Sequence, residues 1–204
     1  MAGYGTLLWG GRRWIAAAVL LFVGGAVLGY GAASAQPAFA LQQIRPLLTI
    51  LRDVGERVAA AASPLERTWI IFATNARSVL WMMLGGAVFG LLPAVGVLTN
   101  GLAVGAVAAL AGHVSPLPPS PRILALSILP HAIFELPALW FASAWGMKLG
   151  LAWLQPAAAG NRAGVFRAAA LEAAQVFALA LVLLFIAAAV EANVTLALVR
   201  SVAS

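Results

Sequence analysis

Ser127-Ile-Leu-Pro-His-Ala-Ile-Phe-Glu-Leu-Pro-Ala138 sits inside an apolar block that runs from Ile123 to Leu154. On a helix, His131 and Glu135 lie one turn apart on a shared face, while Pro130 and Pro137 bracket them and disturb the backbone ladder. Two ionisable groups thus interrupt a sequence otherwise fit for lipid. A charge at bilayer depth is expensive unless it faces protein or water and has a partner, so the pair marks a functional or structural core site.

The composition agrees with that setting. Of 204 residues, 63% are hydrophobic and 9% charged, and the mean hydropathy is +1.00. The blocks run on through Ala, Leu, Val and Gly without the alternation of barrel strands, which predicts an all-α integral membrane bundle forming one polytopic domain over residues 1–204. The lipid bilayer is therefore the first partner. The 12 Lys and Arg, for a net charge of +6, are scattered rather than clustered, so no nucleic-acid role is expected. With no cysteine, disulfides, iron-sulfur clusters and thiol chemistry are excluded.

Outward from the central block, five spans are expected over residues 14–34, 68–92, 94–112, 131–154 and 169–198. The first follows Arg12-Arg13; its rival reading is a signal peptide ending at Ala33-Ser34-Ala35, but Gly25-Ala-Val-Leu-Gly29 is a small-residue face suited to close helix packing and favours a retained span. Similar spacings recur at Gly86/Gly90, Gly101/Gly105 and Gly146/Gly150. Residues 40–62 read as an amphipathic helix, with Leu41, Ile44, Leu48, Leu51, Val54 and Val58 opposite a charged face. It either lies over the bundle at the interface or offers a docking surface.

Helix breaks are expected at Pro93, Gly101, Pro130 and Pro137, with a short helix over residues 122–129 ahead of the fourth span. Four prolines punctuate the connection from Gly112 to Arg122. Counting Lys and Arg in the loops does not choose an orientation cleanly.

At Pro130-His131-Ala132-Ile133-Phe134-Glu135-Leu136-Pro137-Ala138 the chain resembles the stage II sporulation protein M family of polytopic membrane proteins. Asn75-Ala-Arg77, Gly85 and Gly90 before Pro93, Asn100-Gly101 with Gly105, Gly146 and Glu191 fit in the same order, although Ala132 replaces the family's usual Gly. The resemblance implies five transmembrane helices and, in endospore formers, a membrane complex with peptidoglycan-hydrolase partners.

Asn75, Arg77, Asn100, His131, Glu135 and Glu191 are the candidate members of a buried polar cluster, with Arg77 as the cation. Such a cluster locks a bundle by hydrogen bonds or holds a proton, ion or polar ligand. No catalytic set, cofactor or metal is expected. A His131, Glu135 and Glu191 metal site, and with it an intramembrane hydrolase, ranks last because a lone His-x-x-x-Glu is a weak signal. The leading reading is a non-enzymatic, multi-pass scaffold of the plasma membrane for cell-envelope remodelling, binding membrane proteins or peptidoglycan hydrolases and open to homo-oligomers. The alternative is a transporter or channel-like protein with its polar site at the bilayer midplane.

Overall fold

The computed structural model describes residues 3–87, 89–111, 121–154 and 161–195, with side chains of the third segment from Leu129 onward. Among these residues seven α-helices follow in order: α1 (Tyr4–Gly10), α2 (Arg12–Ala35), α3 (Pro37–Ala60), α4 (Pro64–Gly85), α5 (Leu91–Ala109), α6 (Pro121–Leu151) and α7 (Arg162–Val190). The last runs on into a π-helical turn, Glu191–Thr195. Among the described residues there is no strand. Most of the proline-rich connection, including His113, lies outside them, as do residues 155–160 and the expected extension of the last span to residue 198.

Local chemistry sets the helix starts. The Ser63 hydroxyl accepts the Glu66 N–H at 3.1 Å and the Glu66 carboxylate accepts the Ala62 N–H at 2.7 Å, so the first turn of α4 is capped from both directions. Pro64 occupies its first position, where a missing N–H is harmless. Asn161 caps α7 through the Gly164 N–H at 3.0 Å.

Among the described residues three helices, Arg12–Ala35, Leu91–Ala109 and Arg162–Thr195, are long and apolar enough to cross a membrane. The most extensive pairing is between α2 and α5, which run parallel. A Cβ at Gly25 or Gly29 would be driven into the backbone of Leu98 or Leu102, and one at Gly101 or Gly105 into the backbone of Phe22, Ala26 or Tyr30. Each glycine pair thus receives the facing backbone, which is how small residues hold helices together where lipid supplies no hydrophobic drive. At the next seam Gly86 and Gly90 meet Gly146, Met147 and Gly150. Around Trp145, which is fully buried, α6 carries the largest core cluster with α4 and α7.

The helices alternate in direction. Gly11, at the start of α2, meets Trp145 near the end of α6, and Pro93, early in α5, meets Gly146. At the opposite end, Ala33 of α2 packs with Ala106 near the end of α5 and Leu110 just beyond it, and Ile71 of α4 packs with Ala188 near the end of α7 and Ala192 in the π turn. Helix α3 crosses this second end. Its Ala40, Leu41 and Ile44 rest on the α2 and α5 termini, while Val58 reaches the cluster formed by α4 and α7.

Several expected breaks are absent or displaced. Helix α5 passes uninterrupted through Asn100-Gly101. Gly101 serves close approach rather than bending, and the Asn100 amide donates to the Gly96 carbonyl of its own helix at 2.9 Å. Pro130 and Pro137 both lie inside α6, so the separate helix over residues 122–129 does not exist. Each proline removes one ladder bond, and a helix packed against α2, α4, α5 and α7 survives that loss. Pro93 sits in the first turn of α5, where an N–H has no intrahelical partner anyway. The break lies before it, from Gly86 to Gly90, with Phe89 at φ 54° and Gly90 at φ 69° in the left-handed region. The chain's glycine-rich start, by contrast, forms the short helix α1.

Candidate functional site

Helix α6 presents His131 and Glu135 one turn apart, with His131 Nε2 and Glu135 Oε2 3.8 Å from each other. That is an approach rather than a hydrogen bond. Glu191 joins them from the point where α7 gives way to the π turn: one ligand atom from each of His131, Glu135 and Glu191 lies within 4.8 Å of the other two. Single π turns often mark functional positions, because the extra residue re-aims the side chains around it. His131 is mostly shielded, its side chain 14% exposed, and its Nδ1 is buried with no hydrogen-bond partner among the described residues.

Glu191 also lines a cavity of about 320 Å³ beneath α3, walled by Leu51, Val54, Val58 and Ile71 and closed in part by Arg67. Arg67 makes no ion pair with Glu191 within 4.0 Å, and its Nε is buried without a partner among the described residues. The cation that shares a wall with the acidic cluster is therefore Arg67, not Arg77. On α4 the inward positions step by four through Ile71, Val79 and Met83, with Asn75 half-buried in the same row. Arg77 is displaced from that row by two residues, about 200° around the helix, and is exposed. Asn100 is exposed on α5 and committed to its own helix. Of the six residues expected to cluster, the structure brings His131, Glu135 and Glu191 together and leaves Arg77 and Asn100 outside.

A second charged pair went unread in the sequence. Lys148 of α6 and Glu172 of α7 form an ion pair, with the Lys148 ammonium 5.9 Å from the centre of the Trp145 ring. Their separation in sequence, 24 residues, exceeds any within-helix spacing rule, so only the α6–α7 packing reveals them. Glu172 and Glu191 are 19 positions apart along α7 and the start of its π turn, a rise of about 28 Å, close to the ~30 Å thickness of a hydrocarbon core. The two polar layers are thus about one hydrocarbon thickness apart, and the His131 cluster lies at the end of the bundle that α3 covers.

The family model described as Stage II sporulation protein M matches residues 18–196, from the second turn of α2 past the π turn that carries Glu191. The chain belongs to this family. No curated protein and no solved structure matches the chain. The match takes in α3 to α7 and α2 from Ala18 onward, together with the three clustered side chains, and leaves out only α1 among the helices described.

Proposed function

We propose that this stage II sporulation protein M family member is a non-enzymatic, multi-pass scaffold of the plasma membrane that positions cell-envelope machinery, with α2, α4, α5, α6 and α7 as its five spans. The observation that carries the reading is the placement of α3. This 24-residue helix has no fully buried residue, yet its apolar side is seated on both halves of the bundle end. Its opposite face holds two exposed i, i+4 pairs, Arg52 with Glu56 and Asp53 with Arg57. A charged helix held in place outside the hydrocarbon region is a platform for another protein's charged surface, with orientation set before the encounter. Peptidoglycan hydrolases are the partner class that the family's resemblance suggests.

A carrier needs a site reached from both sides, and the His131 cluster lies about one hydrocarbon thickness from the Lys148–Glu172 pair rather than midway, which favours the scaffold over a midplane transport site. The discriminating experiment uses crosslinking and co-purification from the native membrane. Replacing Arg52 and Arg57 together by Ala should abolish recovery of envelope partners, while Glu135→Gln should retain it. Normal recovery from the α3 variant would refute the platform.

A further inference from the structure

We infer that His131, Glu135 and Glu191 form a binding site for one divalent first-row transition cation, such as zinc or manganese. The donor set, one imidazole and two carboxylates, is that of such ions rather than of magnesium, which prefers oxygen alone and keeps its waters. His131 and Glu135 are spaced i, i+4 on α6, and Glu191 arrives from a second helix, so two rigid elements supply three ligands. Their ligand atoms lie within 4.8 Å of one another. Around a tetrahedral zinc with bonds of about 2.1 Å they would stand roughly 3.4 Å apart, a contraction that carboxylate rotation can supply.

Charge points the same way. Two carboxylates converge on one point, and the ion pairs among the described residues join neither of them to a Lys or Arg. Arg67 lines the cavity beside Glu191 without pairing to it. With His131 neutral, these four groups sum to one negative charge, and a divalent cation bearing one anionic ligand, such as hydroxide, brings the sum to zero. One ring nitrogen of His131 has no partner among the described residues. Of the three ligands, Glu191 also lines the cavity under α3, so the site is approached from that side through this residue.

The test uses the full chain in lipid nanodiscs, stripped with EDTA and titrated calorimetrically with Zn²⁺ alone, Mn²⁺ alone and Mg²⁺ alone. One Zn²⁺ or Mn²⁺ per chain is expected, with Mg²⁺ much weaker. His131→Ala, Glu135→Gln and Glu191→Gln should each weaken binding by about a hundredfold or more, and Glu56→Gln on the outer face of α3 should not change it. Should the three variants fail to fold, the wild type decides: Zn²⁺ must raise its Tm reversibly to EDTA, and Co²⁺ must give the visible bands of an imidazole and carboxylate complex. No stoichiometric binding, binding that survives loss of any one ligand, or Mg²⁺ binding equal to Zn²⁺ overturns the inference. A bound metal is read directly, so this outcome is separate from the fate of the scaffold reading.

Discussion

Gly24 and Gly25 are neighbours in α2, and replacing each by Ala isolates what the α2–α5 crossing contributes. A Cβ at Gly24 has no atom within 4 Å, whereas one at Gly25 would lie 3.0 Å from the Leu102 nitrogen and 3.3 Å from the Leu98 carbonyl carbon, with the Leu98 oxygen nearer still. Both substitutions gain the same helix propensity, about 0.5–1 kcal/mol, because both positions are mid-helix. The difference between them is therefore the clash alone. Backbone atoms cannot escape by changing rotamer, so the helices must part, and overpacking of that kind amounts to about 1–3 kcal/mol. A gap of 0.5–1 Å along the seam would also forfeit roughly a quarter to a half of each dispersion contact there. Equilibrium unfolding in mixed micelles, or thermal inactivation followed by fluorescence-detected gel filtration, should show Gly24→Ala equal to or more stable than wild type and Gly25→Ala less stable than Gly24→Ala by that amount. Equal stabilities for the two variants would refute the close crossing and the parallel packing built on it.

Two further perturbations probe the opposite end of the bundle. Lys148→Met and Glu172→Gln each remove one half of the ion pair between α6 and α7, and with both side chains partly solvated a coupling of about 1 kcal/mol is expected from the double-mutant cycle in detergent unfolding; additive losses would mean that the pair contributes nothing. At the α4–α5 turn, Gly90→Ala places a Cβ 2.8 Å from the Met147 carbonyl oxygen in a left-handed residue and should destabilise by about 2–4 kcal/mol. Phe89→Gly next to it relieves a positive φ and should hold or raise the Tm, so a loss at Phe89 comparable to that at Gly90 would contradict the turn geometry.

Apolar length and small-residue spacing were enough to read an all-helical membrane bundle from the sequence, because a chain in lipid must satisfy its backbone within each segment and leaves long unbroken hydrophobic runs as the record. The amphipathic helix was equally legible: its apolar stripe and charged stripe follow a single local period, and it appears at Pro37–Ala60 against the expected residues 40–62. The glycine spacings at Gly25/Gly29 and Gly101/Gly105 marked two faces, but only the packed structure shows that each receives the other helix's backbone. Proline and Asn-Gly signals misled for the complementary reason. They report local cost, and at Pro130, Pro137 and Gly101 neighbouring helices outweigh it. The polar residues divide in the same way. His131 and Glu135 share a face by helical arithmetic, whereas Glu191, Arg67 and the Lys148–Glu172 pair find their places through contacts between helices far apart in the chain. Residue type and period determine what a segment is; which charge meets which depends on how whole helices rotate and cross, and no local pattern encodes that.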